Sequence, residues 1–253
     1  MKPKYGQHFL TDKLVLNRII AYADLNKKDT VLEIGGGPGN LTQELSKAAG
    51  RVITIELDRK LADNLKELTK DTNVTVVHGD ALKVQFPLFN KVVSNLPYQI
   101  SSEITFKLLE HQFDFAILMY QLEFADRMIA VAGTSDYSRL TVMAQYHSDI
   151  ELLEKVPPSA FKPQPKVQSA ILKLTPKEPP YRVNDLQFFK RLLKALFSQR
   201  RKMLRNSLKA AAPMLGFPSD NMLKLNADLL NQRPETLTPE ELAELANIIQ
   251  TGT

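Results

Sequence analysis

The stretch TVLEIGGGPGNLTQEL, residues 30–45, decides how the rest of the chain is read. TVLEI is a short, largely apolar and β-branched run, as in a strand buried on both faces, and LTQEL places Leu41 and Leu45 four apart, as on one face of a helix. Between them stand Gly35, Gly36, Gly37, Pro38 and Gly39. Glycines let the backbone turn tightly and approach a ligand more closely than any side chain permits. Strand, glycine turn and helix together open an α/β fold with a nucleotide-like ligand. A tight strand-to-helix turn that binds nothing has the same composition, and dehydrogenases use a similar loop.

The same alternation continues outward. RVITIELD, VTVVHGD, KVVSNLP and FDFAILMYQ are short apolar or β-branched runs, separated by segments with helical spacing such as KLADNLKEL and SSEITFKLLEH. Strand and helix alternate five times. That pattern predicts βαβ units, a mainly parallel sheet with helices on both faces, and a ligand crevice at the carboxyl ends of the strands. Gly35, Glu56, Asp80 and Asn95 all leave strands at that end. Further on, DIELLEKV and VQSAILKL flank the proline-rich PPSAFKPQP and predict an antiparallel edge. The linker TPKEPPY, residues 175–181, cannot be crossed easily by a regular element, so a sheet domain over 1–176 and a helical domain over 177–253 are expected. QFFKRLLKALF has helical spacing, and Thr238, Pro239 and Glu241 supply an N-cap, a first-turn proline and a capping-box acid.

Composition narrows the chemistry. A chain of 253 residues suffices for one large and one small domain. It contains no cysteine, which excludes disulfides, thiolate metal ligands and a cysteine nucleophile. No window approaches the ~20 apolar residues of a membrane span, so a soluble, cytoplasmic protein is expected. His78, His111 and His147 lack metal-ligand spacing, and no metal site is expected. The net charge of +5 is concentrated: Lys190, Arg191, Lys194, Arg200, Arg201, Lys202, Arg205 and Lys209 follow one another with no acid between them. Such a segment suits nucleic-acid phosphates, although a solvated helix face is the ordinary fate of a charge run.

Two carboxylates specify the ligand further. Glu56 ends the second strand, where it can accept both ribose hydroxyls, and Asp80 ends the third, where it can accept from an adenine amino group. A dinucleotide accounts for Glu56 but does not require Asp80. Pro38 in the glycine loop suits a ligand with no pyrophosphate to seat on the helix N-terminus. Together these favour S-adenosylmethionine, while local capping and turn roles for the two acids stay open.

KVVSNLPYQIS, residues 91–101, ends a core strand in Asn95, Leu96, Pro97 and Tyr98. An exocyclic adenine amine is a weak nucleophile because its lone pair is delocalised into the ring, and acceptors aimed at its hydrogens draw that pair back. The Asn95 oxygen and the Leu96 carbonyl, with Pro97 fixing the chain direction, can supply two such acceptors, and Tyr98 offers a face for the base. A plain turn after a strand is the alternative.

In order along the chain, GQHFL, EIGGGPG, GDAL, NLPYQIS, FKPQPKVQSA and SQRRKMLRNSL resemble the KsgA-type ribosomal RNA adenine N6-dimethyltransferases, most closely their archaeal and eukaryotic branch. The resemblance spans nearly the whole chain. It implies a class I, Rossmann-like methyltransferase fold with a small C-terminal helical domain. The implied activity is dimethylation of two adjacent adenosines in the 3′-terminal hairpin loop of small-subunit rRNA, late in assembly of the pre-30S-type particle. It also implies a monomer. By position, Gln7, His8 and Leu10 would close over the cofactor, Gly35 and Gly37 would approach it, Glu56, Asp80 and Ala81 would hold its nucleoside, and Asn95 would also contact it. Asn95, Pro97 and Tyr98 would hold the target base, Phe161 would stack on the base's other face, and Arg200, Arg201, Lys202 and Arg205 would contact RNA phosphates. His8 replaces the Asn of many bacterial members and Gln168 an acidic residue, which bears on the branch and not on the acceptors. The nearest alternative is a resistance-type methyltransferase acting on one adenosine of large-subunit RNA. A non-catalytic RNA-binding assembly factor and a nicotinamide oxidoreductase are the others.

Overall fold

A computed structural model of the chain describes residues 7–250. Two compact units divide it: residues up to Ala125 with Ser148–Lys177, and Asp126–His147 with the residues from Glu178 onward.

The first unit is built on β1 (Phe9–Leu10), α1 (Lys13–Ala23), β2 (Thr30–Ile34), α2 (Asn40–Ala48), β3 (Arg51–Glu56), α3 (Arg59–Leu68), β4 (Val74–His78), β5 (Lys91–Asn95), α4 (Ser101–Leu108) and β6 (Phe115–Gln121). The chain then runs through α5 (Leu122–Ile129) and α6 (Arg139–His147) before β7 (Ser148–Val156), β8 (Phe161–Lys162) and β9 (Ser169–Pro176). Seven strands form one sheet in the order β4-β3-β2-β5-β6-β9-β7. The first five are mutually parallel, and β9 runs antiparallel to both β6 and β7. The expected antiparallel edge is therefore present. β1 and β8 make a separate two-stranded ladder in which Leu10 opposes Phe161.

Val31, Leu32, Val92 and Val93 are wholly buried, since consecutive side chains point to opposite faces and a parallel sheet is covered on both. On one face Val31, Val52, Val93, Ile117 and Ile171 pack with Val15, Leu16 and Ile19 of α1 and Leu41 and Leu45 of α2. Asp12 caps α1 and Asp58 caps α3, each accepting two backbone N–H groups of the first turn. From β2 the chain winds through β3 to β4 on one side, then crosses back to β5 on the other. The order reverses between β2 and β5, and at such a switch point the loops leave in opposite directions and open a crevice.

The second unit is helical: α6, α7 (Leu186–Phe197), α8 (Leu204–Leu215), α9 (Ala227–Asn231) and α10 (Pro239–Gln250). Its core includes Phe189, Leu192, Leu193, Leu196, Leu208, Leu242 and Leu245. Asp185 caps α7, and the capping box at α10 forms as read from the sequence: the Thr238 N–H donates to Glu241 Oε2 at 2.7 Å and the Glu241 N–H to Thr238 Oγ1 at 3.2 Å. Residues 126–147 fold with this unit. The division is thus not a single cut between 176 and 177, because the chain leaves the sheet after β6 and rejoins it at β7.

Candidate active site

The glycine loop is shaped by two close approaches. Gly35 has φ +80° and a Cβ there would lie 3.1 Å from Pro97 Cγ; Gly37 has φ +54° and a Cβ there would lie 3.1 Å from the Phe9 ring. Both positions require a residue without a side chain. Glu56, only 4% exposed, fastens this loop to the end of β3. Its Oε2 accepts the Gly37 N–H at 2.9 Å, and its Oε1 accepts the Asp58 N–H at 2.8 Å.

A cavity of about 270 Å³ opens at the switch point. Gly35 and Gly37 of the glycine loop, Glu56 at the end of β3, and Asp80 and Ala81 after β4 line it. Asn95, Leu96, Pro97 and Tyr98 form the wall beyond β5, and Gln7 and His8 stand at the same cavity from the N-terminal segment. All the residues expected to surround a cofactor nucleoside and a target base therefore converge here, apart from Leu10 and Phe161. The reading from sequence missed Phe9, Ile34, Ile55 and Leu57, which make the walls between the polar groups apolar. A carboxylate at a buried strand end, a glycine cradle and apolar walls fit a purine nucleoside, and with it S-adenosylmethionine.

Asn95 ends β5, and among the described residues nothing hydrogen-bonds its carboxamide. Tyr98 begins a one-turn 3-10 helix, Tyr98–Ile100, and its hydroxyl lies 2.6 Å from Ser169 Oγ. Burial pushes the phenol pKa up, so the ring is neutral. His8 Nδ1 donates to the Pro163 carbonyl at 2.7 Å, and its ring lies 6.1 Å from that of Tyr98, inclined by 30°. Asp80 Oδ1 accepts the Leu82 N–H at 3.0 Å, a turn role that leaves Oδ2 3.8 Å from Lys83 Nζ. The loop after Asp80 is tied to α4 by Lys107, whose Nζ donates to the Ala81 carbonyl at 2.7 Å and sits 4.1 Å above the Phe86 ring.

The family model "Ribosomal RNA adenine dimethylase" matches residues 1–250. The chain belongs to the ribosomal RNA adenine dimethylase family. A "Probable ribosomal RNA small subunit methyltransferase A" of Methanosarcina barkeri is 52% identical over 97% of this chain and 86% of its own. Among solved structures, a dimethyladenosine transferase from Plasmodium falciparum has a TM-score of 0.80 and 35% identity, covering 94% of this chain and 96% of that one. The 23S rRNA methyltransferase ErmE has a TM-score of 0.69 and 30% identity, covering 96% and 99%. Membership of the dimethylase family bears out the resemblance seen in the motifs and removes the nicotinamide oxidoreductase.

Two expected site residues lie outside this cavity. Phe161 is wholly buried, in the core cluster with Leu10, Val15, Ile19 and Val156, and does not line the cavity. Its ring has no free face for a base. Leu10, 4% exposed, packs its side chain in the same cluster and borders a smaller adjoining cavity with Gly35, Gly37 and Asn95, while its neighbour Phe9 lines the main one. The cause is the strand period: in β1 consecutive side chains point opposite ways, so one faces the ligand space and the other the core.

The basic residues also separate. Arg201, Lys202 and Arg205 are exposed around the turn from α7 to α8. Arg200 is engaged: its Nη1 donates to the carbonyls of Ser135 at 2.7 Å and Tyr137 at 3.2 Å, and its Nε lies 3.5 Å from Glu235 Oε2. Among the described residues no helix is long and apolar enough to cross a membrane.

Proposed function

We propose that this dimethylase acts on two adjacent adenosines in the 3′-terminal hairpin loop of small-subunit rRNA, converting each to N6,N6-dimethyladenosine as a step in subunit assembly in the cytoplasm. The observation that carries the reading is the Asn95 carboxamide, unengaged by any described residue and set at the tip of β5 in the cavity wall. The likeness to a relative named for the small subunit, higher than the likeness to ErmE, supports the choice of RNA.

Bound in this cavity, S-adenosylmethionine supplies an electrophilic methyl group on a positively charged sulfur. Glu56 accepts the ribose hydroxyls, keeping one lone pair of each oxygen for the Gly37 and Asp58 N–H groups. Asp80 accepts from the adenine amine through the oxygen that its turn leaves open. On the other side, Asn95 Oδ1 and the Leu96 carbonyl accept the N–H groups of the target amine and return its lone pair to nitrogen. Tyr98 stacks on the target base. A base in an unpaired loop leaves its stack for a few kcal/mol, a cost that stacking at ~1–3 kcal/mol offsets. As the N–C bond forms the S–C bond would break, leaving a neutral thioether, and the methylated nitrogen would then shed one proton to solvent. With no strong general base required, alignment of nitrogen and methyl supplies several kcal/mol as orientation entropy. Arg201, Lys202 and Arg205 hold phosphates, and the helical unit from the linker onward serves as the RNA-binding part of a monomer.

Incubation of the protein with isotopically labelled donor and unmodified small subunits, followed by mass mapping, is expected to find dimethyladenosine at two neighbouring positions. Asn95→Ala is expected to lower turnover roughly 100-fold while leaving RNA affinity within threefold. Modification of a single adenosine in large-subunit RNA would favour the resistance-type reading that the ErmE likeness keeps in view. Tight RNA binding with no transfer would favour a pure assembly factor.

A further inference from the structure

Ser169 carries no role in the reaction described so far, yet among the described residues it is the side chain hydrogen-bonded to Tyr98, the proposed base platform. It is wholly buried at the first position of β9. There its backbone opposes Gln121 of β6 on one side and Val156 of β7 on the other, so both neighbouring strands hold it. Tyr98 approaches from the opposite direction, on the short turn after Pro97. Its backbone is set by that turn, where the Ile100 N–H donates to the Pro97 carbonyl at 3.2 Å. The His8 ring stands 6.1 Å from the Tyr98 ring, and the far end of the Tyr98 ring is held by the 2.6 Å contact from Oη to Ser169 Oγ.

We propose that Ser169 is a positioning residue for the target base: its hydroxyl fixes the plane of the Tyr98 ring, and through it the depth and tilt at which an adenine presents its amine to Asn95. The inference rests on the reading of Tyr98 as a stacking platform and deepens it. A ring anchored at both ends is organised before the base arrives, so the ordering cost is met in folding and not in binding. The same bond occupies the phenol oxygen and reserves Tyr98 for stacking over hydrogen bonding. It also links two separate motifs, since NLPY supplies the ring and the serine after PKV supplies its anchor.

Removal of either hydroxyl leaves its partner without this bond in a part-buried site, a loss that corresponds to roughly tenfold. Ser169→Ala and Tyr98→Phe are each expected to lower kcat/KM for small subunits roughly tenfold, with cofactor affinity by calorimetry unchanged within twofold. The double variant is expected to be no worse than either single, because both remove the same contact. Ser169→Thr, which restores a hydroxyl at the same carbon, is expected to recover most of the activity. Additive losses in the double variant, or cofactor affinity falling in step with activity, would overturn the proposal. Tyr98→Ala separates the two layers. If Tyr98→Ala is inactive while Ser169→Ala and Tyr98→Phe match the parent, the platform stands and the anchor is wrong; if Tyr98→Ala retains full activity, the platform reading itself fails.

Discussion

The carboxylate of Glu56 accepts the Gly37 N–H at 2.9 Å, and in doing so binds the end of β3 to the glycine loop that leaves β2. Its other oxygen accepts the Asp58 N–H at 2.8 Å, and Asp58 in turn caps α3. One carboxylate thus sets the loop, the cap and the proposed ribose contact at once. Glu56→Gln keeps the shape but turns one acceptor into a donor facing a backbone N–H. Loss of one charge-assisted bond at about 1.5–3 kcal/mol predicts roughly a 10- to 100-fold weaker cofactor complex, read by calorimetry. Affinity within twofold of the parent would contradict the assignment.

Glu33 lies beneath the same loop, 1% exposed, with the Thr42 hydroxyl donating to its Oε2 at 2.6 Å. Burial, aided by nearby Glu56 and opposed by the Thr42 bond, pushes its pKa from 4.5 up to about 7. The sign follows from linkage. Between these two values the folded protein holds a proton that the unfolded chain has released, so this group's contribution to stability is full below 4.5 and is lost as pH rises through about 7. The total is at most about 3 kcal/mol. Glu33→Gln, which cannot ionise, is expected to flatten that part of the melting-temperature profile and to be more stable than the parent at pH 8. Parallel profiles for the two proteins would show that Glu33 is ionised throughout.

Strand ends were the legible part of this molecule. Gly35, Glu56, Asp80 and Asn95 stand where apolar β-branched runs stop, and a parallel sheet brings such ends together whatever the details of packing. The capping box at Thr238 was legible for a similar reason, because it is satisfied within four residues. Contacts set by tertiary partners left no such mark. Nothing in FKPQP has a period that says which way Phe161 points, and the two-residue β1 is too short for its alternation to distinguish Phe9 from Leu10. The side excursion through residues 126–147 has a loop-like run in GTSDYS, residues 133–138, but no proline-rich linker, so a boundary drawn at the prolines of 175–181 misses it.

Adjacent like charges were equally indistinguishable, and the structure divides them. Arg200 satisfies the Ser135 and Tyr137 carbonyls and faces Glu235, whereas Arg201, Lys202 and Arg205 extend into solvent. Arg200→Ala is expected to lower the melting temperature by several degrees, because two carbonyls lose their donor. The same change at Arg201, Lys202 or Arg205 is expected to leave the melting temperature within a degree or so. Each should weaken RNA binding and reduce the slope of log affinity against log salt by about one. Titrations at several salt concentrations beside thermal melts make the comparison. A stable Arg200→Ala with a reduced salt slope would return Arg200 to the phosphate-binding set.

Phe161 offers the sharpest contrast between the motif-based expectation and the observed packing. As one face of a base sandwich, its replacement by leucine would remove a stacking partner and raise KM for RNA 10- to 100-fold, corresponding to ~1–3 kcal/mol. As the buried partner of Leu10, Val15, Ile19 and Val156, it fills core volume and never touches RNA. Phe161→Leu then costs about 1–2 kcal/mol of stability through imperfect refilling, and Phe161→Ala about 3–5 kcal/mol through the space left behind. We expect Phe161→Leu to melt several degrees lower while methylating small subunits at a per-molecule rate and KM within threefold of the parent. Comparison below the melting transition keeps the two effects apart. A large rise in KM with no loss of thermal stability would mean that the ring leaves the core when RNA binds.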